Sequence, residues 1–186
     1  MVKLNKIYTR TGDRGSAGLV DGSRVSKSSL RMDAIGDVDE ANAAIGIAIA
    51  ALDGKEPSGR LTRIQNDLFD LGADLATAGD VDGALRIVAP QVERLEHEID
   101  EMNIGLEPLT SFILPSGSQS VSALHLARAV VRRAERSAVR LHEREPLNPF
   151  LLAYLNRLSD HLFVAARAVA AREGGDVLWQ PGASRT

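Results

Sequence analysis

Apolar residues recur at spacings of three and four in five stretches of this chain, with glycine, proline and small polar residues between them. The first stretch runs from about Asp33 through Ile35, Val38, Asn42, Ile45 and Ile49 to Leu52, and Asp33 is placed to cap it. Residues 54–59 break the pattern. Leu61, Ile64, Leu68, Leu71 and Leu75 then mark a second amphipathic helix that stops by Gly79. A third extends from about Gly83 to Asn103 through Val88, Val92, Leu95 and Ile99, with Gly105 where a C-terminal cap often stands. Pro90 lies inside it and suits a first turn, so the helix proper can begin there. Ser118 can cap a fourth helix that reaches about His142. Asn148-Pro149 reads as a start signal for a fifth, which continues through Leu155, Leu158, Leu162 and Val169 and ends at Gly174-Gly175.

The remaining segments carry other signals. The first thirty residues are rich in Gly, Thr, Ser and basic residues and keep neither a helical nor a strand period, which predicts a shaped loop. Residues 108–117 include Phe112-Ile113-Leu114-Pro115, an apolar connector of a kind that a water-exposed loop seldom carries. Five helices with no convincing strand predict an all-α, ferritin-like up-down bundle in a single domain, 1–186. Within it we expect a nucleotide-binding loop over 1–32, the bundle over 33–173 and a tail over 174–186 that is mobile when nothing is bound.

Composition narrows the chemistry. At 186 residues and 44% hydrophobic content the chain can bury one sizeable core. A formal charge of -3 argues against nucleic acid or an anionic membrane as the main partner, so any basic site is local. The absence of cysteine excludes a disulfide, a thiolate metal site and a cysteine nucleophile. Residues 1–6 lack the apolar core of a signal peptide, and the longest apolar run, residues 43–52, is too short to span a bilayer. A soluble, cytoplasmic protein is the expectation.

On the fourth helix Arg128, Arg132, Arg136 and Arg140 recur at every fourth position, with Arg133 beside them. Each like-charged pair at that spacing costs an isolated helix roughly 0.2–0.5 kcal/mol. Two readings account for the repetition: a solvated face neutralised by acids, or a site for a polyanion whose oxygens match the guanidinium forks. The N-terminal string Thr9-Arg10-Thr11-Gly12-Asp13-Arg14-Gly15-Ser16, with Lys27 after it, favours the polyanion, because glycines let backbone N–H groups approach an anion. It is not a Walker loop. Acids on the first helix (Asp37, Asp39, Glu40), with Glu135 and Asp160, pair with arginines on the plain reading; a Mg2+ ion held by phosphates and one carboxylate is the competing use. None of His97, His125, His142 and His161 has Glu three residues before it, so the di-iron pattern is missing, as are His-Glu-x-x-His and Gly-x-Ser-x-Gly. The histidines read as surface or packing residues.

Three separated strings together carry a resemblance. They are Tyr8-Thr-Arg-Thr-Gly-Asp-Arg-Gly15; Arg31 to Gly46, with Gly36-Asp-Val-Asp-Glu40 at its centre; and Phe112-Ile-Leu-Pro-Ser-Gly117 followed by Arg132-Arg-Ala-Glu-Arg136 and Leu155-Asn-Arg-Leu-Ser-Asp160. In order and spacing they resemble the trimeric, propanediol-utilisation type of ATP:cob(I)alamin adenosyltransferase over nearly the whole chain. The resemblance implies a homotrimer with its active sites between subunits, ATP and cobalamin as substrates, and Mg2+ held mainly by the ATP phosphates. On that reading Thr9, Arg10, Thr11, Gly12, Ala17, Gly18 and Lys27 line ATP from one subunit. Arg132, Arg133, Ala134, Glu135, Arg136 and Asn156 complete the nucleotide site from the next. Asp39 and Arg128 are implied as the pair joining subunits beside the site, and Phe112 as the residue packed below the corrin. A reductase and a cobalamin-dependent acceptor enzyme are the implied protein partners. One departure stands out: the family usually has Thr or Ser where this chain has Ala17, which weakens nucleotide binding unless Ser16 substitutes.

The implied chemistry agrees with what the residues offer. Cob(I)alamin is itself a strong nucleophile, so the protein needs no Ser, Cys or His nucleophile and has chiefly to orient ATP and stabilise a leaving triphosphate. A nucleotide-binding regulatory module would account for the loop and the ladder but leaves the Phe112 connector without a purpose. A structural helical protein with only interchain ion pairs would bind no ATP.

Overall fold

The computed structural model describes residues 7–185, so residues 1–6 of the expected N-terminal loop and Thr186 of the expected tail lie outside the described residues. Five helices follow in chain order: α1 (Leu30–Leu52), α2 (Ser58–Leu75), α3 (Ala89–Asn103), α4 (Gln119–His142) and α5 (Pro149–Ala170). Ser29, rather than Asp33, caps α1: its side chain accepts from Met32 N–H, and Asp33 stands in the first turn, where a negative charge suits the helix dipole. α3 starts at Ala89 with Pro90 in its first turn, and Gln91 Oε1 accepts from Val88 N–H at 3.1 Å. Ser118 and Asn148 cap α4 and α5 through bonds from Val121 N–H and Phe150 N–H.

α1 packs against α2 and α4, α4 against α5, and α5 against α3. Small residues bring α1 close to its neighbours, since Ala34, Ala41, Ala44 and Ala48 are all buried along it. The leucines of α2 (Leu61, Leu68, Leu71, Leu75) meet Leu124 and Leu141 of α4 and Leu155, Leu158 and Leu162 of α5 in one core. α2 and α3 are tied differently, by ion pairs: Asp67 accepts from Arg94 and from Gln91, Arg63 reaches Glu98 at 2.9 Å, and Arg60 reaches Glu101 at 2.9 Å. Tyr154 of α5 donates to Asp67 at 2.7 Å, and His161 bonds Glu98 at 2.8 Å.

Two features depart from the sequence reading. The N-terminal loop contains a small antiparallel hairpin, β1 (Ser16–Gly18) and β2 (Arg24–Ser26), pairing Ser16 with Ser26, Ala17 with Val25 and Gly18 with Arg24. Three residues are too few to show a two-residue period. Val20 N–H donates to Ala76 O at 3.2 Å, which pins the hairpin tip to the end of α2. Part of the segment expected as a mobile tail is paired with the connector: Val177 O accepts from Leu114 N–H at 2.8 Å, and Ile113 bridges Leu178, while residues 180–185 are exposed. The connector's extended backbone has groups open to pairing, and the tail supplies their partners.

Candidate active site

The N-terminal loop is shaped by bonds within itself. Arg10 sits at φ 62, in the left-handed region, and its guanidinium lies over the Tyr8 ring, 5.8 Å from the centroid. Thr9 and Thr11 hydroxyls meet at 2.8 Å. Gly15, at φ 78, turns the chain, and its carbonyl accepts from Lys27 N–H at 2.9 Å. At Gly12 a Cβ would stand 3.2 Å from Lys27 Nζ, so glycine there is what lets the ammonium come down onto the loop. Arg24, which the sequence reading passed over, braces the whole turn: its Nη2 donates to Thr11 O at 2.7 Å and to Ser16 Oγ at 2.8 Å, and its Nε donates to Ser16 Oγ at 3.1 Å. Only the tight return of β2 places it there.

That brace bears on Ala17. Successive side chains of a strand project to opposite faces, so Ser16 points away from the face that Ala17 occupies. Its hydroxyl oxygen is already taken by Arg24. Its place on the opposite face and its bonds from Arg24 weigh against Ser16 standing in for the missing hydroxyl. Gly18 follows Ala17 at the end of β1.

On α4 the arginines divide into two kinds. Arg133 is engaged by α1, through Asp37 at 3.3 Å and Glu40, and these partners raise its pKa chiefly through the hydrogen bond it donates to Glu40. Arg140 donates to Ser137 at 2.8 Å. Arg132, by contrast, is exposed, and its guanidinium has no partner among the described residues. Arg136 folds back onto Arg132 O at 2.9 Å. Ala134 is fully buried, so it seats the ladder on the core and does not reach the surface. Asn156 of α5 donates to Glu135 at 2.9 Å, fixing a carboxylate and an amide beside Arg132 and Arg136. Asp160 pairs with Arg157 at 2.8 Å, as the plain reading of the acids holds.

Arg128 lies 5.9 Å over the Phe163 ring with its Nε buried and unpartnered, and burial followed by the charge of Arg132 lowers its pKa. His125 stacks on the same ring at 6.4 Å, 3% exposed, with neither ring nitrogen bonded. Burial, then Arg128, pushes its pKa down against the opposing charge of Asp176. The other histidines behave as surface or packing residues: His97 is exposed beside Glu101, His142 accepts from Leu147 N–H, and His161 is held by Glu98. Asp39 is exposed at the rim of a groove of about 330 Å3 between α1 and α2, with no side-chain partner among the described residues.

Phe112 is 77% exposed, and its ring meets Trp179 at 5.9 Å with the planes inclined by 58°. Trp179 gave no signal in the sequence, because only the docked tail brings it there. The sequence-predicted residues fall in three clusters: the loop with Lys27, the α4–α5 face with Arg132, and the Phe112 connector. Among the described residues no hydrogen bond or ion pair joins residues 9–27 to the Arg132–Asn156 face. A second cleft, about 770 Å3, lies between Arg31, Arg86, Arg144, Asn148 and Phe150, and two of its three cations are already satisfied. Arg31 there bonds Leu75 O and Glu145, and Arg86 bonds Asp74.

The family model described as cobalamin adenosyltransferase matches residues 7–169, which takes in all three clusters. The chain belongs to the cobalamin adenosyltransferase family. It is 50% identical over 194 residues to the corrinoid adenosyltransferase of Mycobacterium tuberculosis (strain H37Rv), covering 100% of this chain and 98% of the relative. With the corrinoid adenosyltransferase of Bacillus subtilis it shares 44% identity over 183 residues, 96% of this chain and 94% of the other. Among solved structures it is similar to a F112A variant of the PduO-type ATP:corrinoid adenosyltransferase from Lactobacillus reuteri complexed with cobalamin and ATP. The TM-score is 0.87 at 38% identity, over 94% of this chain and 99% of that one. As a cobalamin adenosyltransferase, the chain has to hold a nucleotide triphosphate and a corrinoid, and the arginines and Phe112 differ in the two properties those substrates need: charge and apolar surface.

Proposed function

We propose that this protein transfers the 5′-deoxyadenosyl group of ATP to cob(I)alamin, at sites each built from two copies of the chain in a homotrimer. The observation that carries the reading is the exposed guanidinium of Arg132, without a partner among the described residues, set beside Arg136 and the Glu135–Asn156 bond on a face to which no hydrogen bond or ion pair among those residues ties the N-terminal loop. A second chain brings the loop to the ladder. Thr9, Arg10, Thr11, Gly12 and Lys27 then enclose the nucleotide from one subunit, with the backbone of Ala17 and Gly18 beside them. Arg132, Arg136 and Asn156 meet the triphosphate from the other. Asp39 and Arg128, each lacking an ionic partner among the described residues, pair across the interface, which satisfies the buried Nε of Arg128 that is otherwise expensive to leave alone.

The cobalt lone pair of cob(I)alamin attacks C5′ of ATP; the carbon–cobalt bond forms as the C5′–O bond breaks, and the electron pair leaves with triphosphate. Arg132, Arg136 and Lys27 offset that developing charge where it forms. No nucleophile of the protein is required. Phe112 supplies an apolar surface beneath the corrin, displaces the lower ligand and excludes water. A magnesium ion enters with the ATP phosphates that carry it. No helix is long and apolar enough to cross a membrane.

The test is anaerobic: purified protein, chemically reduced cob(I)alamin and Mg-ATP, followed by the corrinoid spectrum and the release of triphosphate. Conversion to adenosylcobalamin is expected. ATP binding with no carbon–cobalt bond formed would replace the reading with a regulatory one. For Phe112, a Phe112→Ala protein that keeps full activity starting from cob(II)alamin and a reductant overturns its assigned role.

A further inference from the structure

The connector after α3 and the chain after α5 form a short ribbon. Leu114 N–H donates to Val177 O at 2.8 Å, Trp179 N–H donates to Phe112 O at 2.7 Å, and Ser111 Oγ donates to Trp179 O at 2.9 Å. On its surface lie the two rings of Phe112 and Trp179. Two strands this short are marginal by themselves in water. The bundle has to hold them.

Arg167, near the end of α5 and only 8% exposed, does so. Its Nε donates to Asp176 Oδ2 at 3.0 Å and its Nη2 donates to Glu107 O at 2.7 Å. One planar cation therefore grips both arms of the ribbon where they leave the bundle, Glu107 ahead of the connector and Asp176 ahead of the tail. The fork is what allows both bonds at once; a lysine ammonium is a point charge on a flexible stem. Between Arg167 and Asp176 the chain reverses through Gly174 and Gly175, at φ 113 and 96, conformations that side chains rarely adopt. The exit direction of the tail is thus fixed by a glycine pair and closed by an ion pair.

We propose that Arg167 and Asp176 are positioning residues for adenosyl transfer: by clamping both arms they set Phe112 and Trp179 as a two-ring shelf for the lower face of the corrin. This rests on the reading of Phe112 given above. Neither residue touches substrate; Arg167 lies at the end of α5 far along the helix from Asn156, and the KM for ATP separates an effect on the shelf from one on the nucleotide groups. Its release hinders the route from cob(II)alamin, in which the lower ligand has to be displaced before an added reductant delivers one electron. Transfer from cob(I)alamin, already without a lower ligand, is affected less.

Trp179 is the single tryptophan of the chain, so its emission reports the ribbon directly and independently of activity. Full-length Asp176→Asn and Arg167→Gln proteins are expected to show red-shifted Trp179 emission with easier quenching by iodide. Their rate from cob(II)alamin plus reductant should fall by roughly tenfold or more, as small misplacements near a reacting centre do, while the rate from cob(I)alamin stays within about threefold and the KM for ATP holds. Arg167→Lys should recover part of both signals. If Arg167→Gln fails to fold, Asp176→Asn decides alone, since it only removes a charge outside the helices. Unchanged Trp179 emission, or an equal fall in both rates together with a raised KM for ATP, overturns the proposal. A wild-type protein that forms no adenosylcobalamin overturns the functional reading, whereas a Trp179 shift without a selective loss of the cob(II)alamin route overturns only this inference.

Discussion

Arg132 is the side chain whose loss should be felt most in the chemical step. It faces solvent without a partner, whereas Arg133 is spent on Asp37 and Glu40. Removing one donor aimed at developing charge typically lowers kcat by roughly 10²–10³-fold, and Arg132→Ala is expected in that range by steady-state kinetics. Arg132→Lys, which keeps the charge and loses the fork, should fall between it and wild type. Ala17 offers the opposite experiment. Because Ser16 points away and is held by Arg24, Ala17→Thr restores a hydroxyl on the face that Ala17 occupies. One added hydrogen bond of about 0.5–1.5 kcal/mol should tighten ATP binding by a few-fold in calorimetry. His125 predicts a pH effect. Burial and Arg128 hold its pKa below the ordinary value, so the unfolded chain takes up a proton that the folded chain resists. Its contribution is therefore complete above the ordinary histidine pKa of about 6.5 and is lost as pH falls from there through the depressed folded value. Urea midpoints measured down that range should drop less in His125→Leu than in wild type.

At the scale of elements, the weak seam of the bundle is the one between α2 and α3. It is joined by charges rather than by close packing: Asp67 takes Arg94, Gln91 and Tyr154, and Glu98 takes Arg63 and His161. Burial pushes the Glu98 carboxyl up, but the His161 bond and the charges of His161, Arg63 and Arg94 bring it below the ordinary range. Cutting such a group out leaves buried charge uncompensated, and Asp67→Ala should destabilise the protein by about 3–5 kcal/mol in chemical denaturation. All five helices were legible from sequence because leucines and alanines repeat at the helical period and because Ser118, Asn148-Pro149 and Pro90 punctuate them. The start of α1 was misplaced, since Ser29 lies ahead of the first periodic apolar residue. The β1–β2 hairpin was illegible at three residues a strand. So were Arg24, whose partners are spread over the turn, and the Arg167–Asp176 clamp, which exists only once the tail has docked.

For the whole molecule, the sequence carried the site's residues more fully than their arrangement. The loop string, the Arg ladder and Phe112 could each be read in place, and the family match spans them. What no periodicity could supply is how they are held: the hairpin is pinned to the end of α2 through Val20, and Arg132 is exposed on α4. On the proposed reading Asp39 and Arg128, neither of them ion-paired among the described residues, meet between chains.

The division of the site between subunits can be measured in one experiment. Lys27→Ala and Arg132→Ala proteins, each inactive alone, are mixed in equal amounts, dissociated and reassembled, and the rate of adenosylcobalamin formation is read. If each site takes its loop from one copy and its ladder from the next, random assembly leaves about one site in four with both parts intact, and roughly a quarter of wild-type activity should return. Reassembled trimers that stay as inactive as either parent would contradict the account and put loop and ladder of the same chain in one site.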